Sequence, residues 1–272
     1  MPKQVIITGA FDNLRSRHVR FLEESARLGS LTVLLWSDAW VRRLTGADPA
    51  FPEAERAYLL SAIRFVGGVR LIERPTDPDS LPDIPGLRPD CWVVEAAQDT
   101  SAKKSFCAAH HIGYQVIPDE ALLGFPETPP PAPAAKRKKI IVTGCYDWFH
   151  SGHARFFEEV SGYGDLYVAI GNDANVRSLK GASHPMHSQE ERRYMAGAIR
   201  FVTQAMVTSG QGWLDAEPEI DRLRPDIYAV NEDGDRGGKR EFCARRGIEY
   251  LVLERTPAPG LPRRSSTDLR GF

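Results

Sequence analysis

The chain has 272 residues, 42% of them hydrophobic and 26% charged, which is enough apolar material for a packed core and excludes global disorder and fibrous or collagen-like classes. Its 35 basic residues face 36 acidic ones for a net charge of -1, so no overall field draws it to nucleic acid or to an anionic membrane. No apolar run approaches the ~20 residues that span a bilayer, and Met1–Ile7 lacks the apolar stretch and cleavage site of a secretory leader. A cytoplasmic protein that neither spans a membrane nor binds nucleic acid is expected. The four cysteines, Cys91, Cys107, Cys145 and Cys243, show no C-x-x-C spacing and are expected as buried thiols.

In chain order the first elements read as strand, glycine-containing turn at Gly9, helix, strand, helix and strand. The order then repeats. Ile6-Ile7-Thr8-Gly9-Ala10-Phe11-Asp12 returns as Ile141-Val142-Thr143-Gly144-Cys145-Tyr146-Asp147 at an offset of 135 residues. Glu55-Arg56, Ala62–Val66, Arg88-Pro89-Asp90 and Phe106-Cys107 return at an offset of 136 as Glu191-Arg192, Ala198–Val202, Arg224-Pro225-Asp226 and Phe242-Cys243. A match of that span is a duplicated domain rather than a small solenoid unit. The expected organisation is a domain over 1–123, a linker over 124–139 and a second domain over 140–272. Pro126, Pro129, Pro130, Pro131 and Pro133, followed by Lys136-Arg137-Lys138-Lys139, make that linker Pro-rich and basic.

In the second copy, Lys139–Thr143 predicts a strand and His153–Gly162 a helix with Phe156, Phe157 and Val160 at helical spacing. Asp165–Gly171 predicts a buried strand, Ser188–Phe201 an amphipathic helix and Ile227–Val230 another strand. Strands alternating with helices predict an α/β fold of two tandem Rossmann-like domains, each with a doubly wound parallel sheet. Ligands on such sheets bind beyond the carboxyl ends of the strands, where strand order reverses.

The turn after the first strand of the second copy carries His150-Ser151-Gly152-His153. A glycine-rich turn opening a helix presents unpaired N–H groups and a positive dipole end to an anion, with phosphate the natural guest. Gly152 lacks the Cβ that would keep phosphate oxygens off the backbone.

These residues resemble the cytidylyltransferase-like nucleotidyltransferases, whose His-x-Gly-His signature follows the first strand. Arg177-Ser178-Leu179-Lys180-Gly181 resembles the family's lysine-bearing loop, Gln189-Glu190-Glu191-Arg192 its Glu-Arg helix, and Ser265-Ser266-Thr267-Asp268-Leu269 its closing Ser-Thr-Thr helix start. The resemblance implies that a phosphate monoester attacks the α-phosphorus of an NTP in line and releases pyrophosphate. With a second pKa near ~6 the attacking phosphate is already dianionic, so positioning and charge neutralisation must carry the reaction. By resemblance His150, His153 and Lys180 are catalytic. Thr143, Gly144, Tyr146, Gly152, Arg192, Ser266 and Thr267 bind the nucleotide, joined by Arg255 or Arg264. The alternative for Arg192 is an ion pair within its helix.

Mg2+ is expected to arrive with the NTP, since the sequence offers no protein-only metal cage. Asp147 is the nearest candidate ligand, or else holds the turn. The tandem arrangement looks like ethanolamine-phosphate cytidylyltransferase, implying CTP, phosphoethanolamine and phospholipid biosynthesis. Leu179-Lys180-Gly181-Ala182-Ser183-His184-Pro185 is similar to the bacterial heptose-phosphate adenylyltransferases, implying ATP and a sugar phosphate. Val230–Asp235 stands at the base-side loop with an altered pattern and leaves CTP or ATP open. Trp213 lines an acceptor pocket or simply packs. A non-catalytic nucleotide-binding protein is the further alternative.

The first copy has Arg15-Ser16-Arg17-His18 where the second has His150-Ser151-Gly152-His153. Thr45 replaces Lys180, and no Ser-Thr-Thr segment follows. Degenerate catalysis is expected there, with Arg17 obstructing phosphate, although Arg15 and Arg17 retain charge for an anion. Ile63, Phe65 and Val66 recur as Ile199, Phe201 and Val202, which suggests an intramolecular pseudo-dimer, with a homodimer as a further possibility.

Overall fold

Val5, Ile6 and Ile7 are consecutive and fully buried, as are Ile140, Ile141 and Val142. A strand achieves this only where both faces of its sheet are covered, as in a parallel sheet flanked by helices. In the computed structural model, which describes residues 2–73, 77–127, 137–266 and 269, these runs are the central strands of two sheets. The chain divides into two units, over 1–124 and 125–271.

The first unit contains β1 (Gln4–Gly9), α1 (Ser16–Ala26), β2 (Ser30–Trp36), α2 (Asp38–Thr45), α3 (Glu53–Ala62), β3 (Gly68–Ile72), β4 (Cys91–Glu95), α4 (Ser101–Ala109) and β5 (Gly113–Ile117). The second contains β6 (Lys139–Gly144), α5 (Ser151–Ser161), β7 (Asp165–Ile170), α6 (Asp173–Lys180), α7 (Gln189–Gly197), β8 (Val202–Val207), α8 (Glu217–Leu223), β9 (Ile227–Asn231), α9 (Lys239–Arg246) and β10 (Glu249–Leu253). Strand order is β3-β2-β1-β4-β5 in one sheet and β10-β9-β6-β7-β8 in the other, the same topology read from opposite ends, and every pairing is parallel. Order reverses between β1 and β4 and between β6 and β9, so the ligand crevice of the second unit is expected at the carboxyl ends of β6 and β9. No helix among the described residues is long and apolar enough to cross a membrane.

The helix expected over Ser188–Phe201 ends earlier. Its last apolar residues keep helical spacing, but Val202 donates its N–H to the Ile199 carbonyl in a turn that feeds β8. Both described ends of the expected linker are built into the second unit. Phe125 accepts a hydrogen bond from Arg193 and its ring lies 6.1 Å from that of Tyr194. Lys139 begins β6 and donates its N–H to Asp226. Residues 128–136 of that linker, including Pro129–Pro131, Pro133 and Lys136, lie outside the described residues.

The largest correction concerns Arg192, expected to contact the nucleotide. Its side chain is 1% exposed and its guanidinium is fully engaged by the protein. Nε donates to the His187 carbonyl (3.0 Å), Nη1 to that of Cys145 (2.7 Å), and Nη2 to the Gly171 carbonyl (2.8 Å) and Asp173 Oδ1 (2.7 Å). It therefore ties the turn after β6 to the turn after β7 and to the entry of α7. Arg56 makes the same four contacts in the first unit, to Phe51, Ala10, Trp36 and Asp38. Asp147 and Asp12 are a second duplicated tie: Asp147 accepts from the amides of Met186 and His187, and Asp12 from those of Ala50 and Phe51. Asp147 thus holds the turn.

Replacing Arg192 by Met is expected to cost the second unit about 3–5 kcal/mol, because the substitution strips a buried guanidinium from its carboxylate and three carbonyls. Lysine should rescue only part of this, lacking the planar fork. Urea unfolding checks it, and an unchanged midpoint would show that the clamp contributes nothing.

Candidate active site

β6 delivers the chain at Gly144 into a tight turn. Tyr146 adopts φ 52° and folds its ring back, so that a Cβ on Gly144 would lie 2.8 Å from it; only glycine fits there. The Tyr146 ring is buried, and that burial pushes its hydroxyl pKa up.

His150 follows as the cap of α5. Its Nδ1 accepts the Gly152 N–H at 3.1 Å, satisfying one of the amides that a helix start leaves open. An accepting Nδ1 in a neutral imidazole leaves the proton on Nε2. One turn along α5 the His153 ring stacks on that of His150, with centroids 3.9 Å apart and planes at 23°. The Tyr146 ring meets it edge-on and the Phe149 ring lies tilted beside it, with centroids 5.1 and 5.5 Å away. Burial, then the neighbouring His150, Arg255 and Lys180, hold the His153 pKa well below the usual histidine value. Its Nδ1 is buried with no hydrogen-bond partner among the described residues.

A cavity of about 220 Å³ opens between these residues and the end of β9. The sequence-derived candidates Thr143, Gly144, Tyr146, His150, Gly152, His153, Lys180, Arg255 and Ser266 all line it. Lys180 is the last residue of α6. Arg255 is aimed by two bonds, from Nη1 to Asp233 Oδ2 (2.7 Å) and from Nη2 to the Arg264 carbonyl (2.6 Å). Ser266 donates its hydroxyl to the Trp148 carbonyl, and Thr143 shares a 2.6 Å hydrogen bond with the Tyr228 hydroxyl. A Cβ on Gly152 would press on the His150 ring at 3.0 Å.

Three candidates fall elsewhere, and a fourth is not described. Arg192 lies behind the turn. Arg264 takes part through its backbone carbonyl and lines an adjacent groove rather than the cavity. Thr267 lies outside the described residues. Trp213 is 63% exposed and packs on the backbone at Gly237, 3.6 Å from where a Cβ would stand. Among the described residues no group of three His, Cys, Asp or Glu side chains is placed to hold a metal ion.

The cavity also contains Trp148, His184 and Lys239, which sequence reasoning passed over, and Asn231 and Asp233 of the expected base-side loop. Lys239 donates to the Gly234 carbonyl at 3.0 Å. Burial lowers its pKa despite Asp215, Asp235 and Asp233 nearby. Its place in the Gly237-Gly238-Lys239 segment opening α9 is the one signal that would have singled it out.

The first unit differs at the matching positions. Arg17 stands in the place of Gly152, and its guanidinium pairs with Glu95 at 3.0 Å and Asp119 at 2.5 Å. At the repeat offset those carboxylates occupy the positions of Asn231 and Arg255. The charge expected to draw an anion is therefore neutralised internally. His18, like His150, turns Nδ1 to a backbone amide, that of Arg15.

Comparison with known proteins agrees with this geometry. A family model described as cytidylyltransferase-like matches residues 141–271. The FAD synthase of Ferroglobus placidus is 32% identical over 118 residues, covering 43% of this chain and 74% of that protein. The chain belongs to the cytidylyltransferase-like family. Bifunctional protein HldE of Campylobacter curvus is 34% identical over 99 residues, 36% of this chain and 20% of that protein. HldE of Koribacter versatilis is 37% identical over 98 residues, 35% of this chain and 20% of its own. The chain thus spans about a fifth of the length of these HldE relatives, and the family likeness places it in the nucleotidyltransferase superfamily.

The depressed His153 pKa has a sign that can be checked. The unfolded chain takes up this proton near ~6.5 while the folded chain does not, so stability falls as pH drops through that value towards the lower folded pKa. His153→Phe should flatten the acid limb of the second unit's urea midpoint between pH 7 and pH 5. An acid limb identical to that of the wild type would contradict a neutral, buried His153.

Proposed function

We propose that the second unit catalyses nucleotidyl transfer from an NTP to a phosphate monoester. An acceptor phosphate oxygen forms a bond to the α-phosphorus as the bond to the α,β-bridging oxygen breaks, and pyrophosphate departs with the electron pair. The observation that carries this reading is the convergence of the His150–His153 stack, Gly152, Lys180, Arg255 and Ser266 on one cavity at the switch point of the sheet.

In this reading His150 donates from Nε2 to the phosphate chain while its Nδ1 stays with the helix cap, so the ring cannot swing away. The neutral His153 contributes its buried Nδ1 as a fixed hydrogen-bonding group, and an arriving polyanion favours its protonation. Lys180 and Arg255, which both line the cavity, neutralise charge. Asp233 orients Arg255 in advance, which lowers the reorganisation needed during reaction. Mg2+ would enter on the triphosphate, where it supplies further charge neutralisation. Asp147 is committed to the amides of Met186 and His187.

The donor proposed first is ATP, with a sugar phosphate among the acceptors. The supports are the likeness to HldE and to FAD synthase, whose named product contains an adenylyl group, and the Leu179–Pro185 segment. The tandem arrangement supports a second reading, CTP with phosphoethanolamine.

Pyrophosphate release should be measured for ATP, CTP, UTP and GTP against phosphoethanolamine, phosphocholine, glycerol phosphate and sugar phosphates with Mg2+. One pairing is expected to turn over and to stop in excess chelator. His153→Ala should cut that rate about 100-fold, the scale of losing a preorganised donor, while His18→Ala changes it less than about threefold. Binding of nucleotide without turnover in any pairing would replace catalysis by a sensing role.

A further inference from the structure

We propose that His184 is a phosphate-binding residue of this site, presenting its ring to the substrate's phosphate chain beside Lys180 and oriented by Asp147. The inference rests on the nucleotidyl-transfer reading above and deepens it. His184 is 8% exposed and lines the same cavity as Lys180, His150 and His153. Its Nδ1 lies 3.6 Å from Asp147 Oδ2. An imidazole that turns Nδ1 to a carboxylate points Nε2 the opposite way, and as imidazolium it donates from both nitrogens.

The backbone carrying His184 is held rigidly. Asp147 accepts from the amides of Met186 and His187, and Trp148 donates its indole N–H to Met186 Sδ at 3.0 Å. The charged and titratable groups around the segment are Asp147 from the turn after β6, Lys180 from α6, and His187, which is paired with Glu191 of α7 at 3.2 Å. A phosphate-binding group on such a support needs no ordering of a long side chain, unlike the exposed Lys180.

The duplicated unit serves as an internal control. It keeps the tether, with Asp12 accepting from Ala50 and Phe51, so the loop folds back onto the turn in both copies. Where the second unit has His184-Pro185, the first has Asp48-Pro49, and Asp48 is exposed and paired with Arg42. The tether therefore does not require a histidine. The position changes together with those of His150, Gly152, Lys180 and Arg255, which in the first copy are Arg15, Arg17, Thr45 and Asp119.

The test uses the full-length chain and inorganic pyrophosphate, followed by calorimetry, with nucleotide kinetics alongside. His184→Ala should weaken pyrophosphate about tenfold, the loss of one charge-assisted hydrogen bond, and raise the nucleotide KM by a similar factor with a smaller effect on kcat. His184→Lys should restore most of the affinity. Wild-type affinity and KM in His184→Ala would overturn the proposal. If that variant does not fold, ¹⁵N-imidazole spectra of the wild-type chain decide: pyrophosphate should shift the His184 ring signals, and signals that stay fixed while those of His150 and His153 move would overturn it. A wild-type chain that binds no pyrophosphate and releases none from any NTP would instead overturn the nucleotidyl-transfer reading itself.

Discussion

A guanidinium buried to 1% exposure, with three carbonyls and one carboxylate around it, is the constraint on which the second unit depends. Removing such a charge from water costs several kcal/mol and is tolerated only when its donors are met in good geometry. Meeting them requires the turn after β6, the turn after β7 and the entry to α7 to converge on one point. The first of those turns lines the cavity. Arg56 supports the role of Arg192 as scaffold, because it makes the same contacts in a unit where Arg15, Arg17 and Thr45 replace His150, Gly152 and Lys180.

On that scaffold the site is assembled from short-range devices. Gly144 admits the Tyr146 ring, Tyr146 supports His153, and His153 stacks on a His150 fixed by its cap to Gly152. The facing wall is electrostatic, with Arg255 aimed by Asp233 and by the Arg264 carbonyl. In the first unit the scaffold persists while the functional wall is inverted: a carboxylate, Asp119, stands where Arg255 would be, and Arg17 fills the glycine position to pair with it. Scaffold and chemistry are separable here because they use different residues of the same turns.

Much of this was legible in the sequence. The buried runs around Ile6 and Ile141, the duplication, and the strand-turn-helix setting of His150, Gly152 and His153 are local patterns, and local patterns survive without coordinates. What was misread or missed depends on direction and on long-range proximity. Arg192 in a Glu-Arg helix looks like a phosphate ligand until its side chain is seen to point behind the turn. The repeat of that residue as Arg56, in a copy that lacks the counterparts of His150 and Lys180, was the available signal that it serves the fold. Arg255 and Arg264 sit in one loop, and nothing in their spacing says which contributes its side chain and which its carbonyl. Lys239 and His184 reach the cavity from separate segments with no shared motif. The helix read as Ser188–Phe201 stops at Gly197 because the apolar residues beyond it serve a turn and a strand.

The central claim is that one scaffold occurs twice and presents a phosphate site once. Calorimetric titration of the full-length chain with the NTP that supports turnover, in the presence of Mg2+, tests this most directly through its stoichiometry. One nucleotide per chain is expected, bound by the second unit, with binding lost when Lys180 and Arg255 are both replaced by Ala. Two sites of comparable affinity, or a single site that survives that double replacement, would contradict the account.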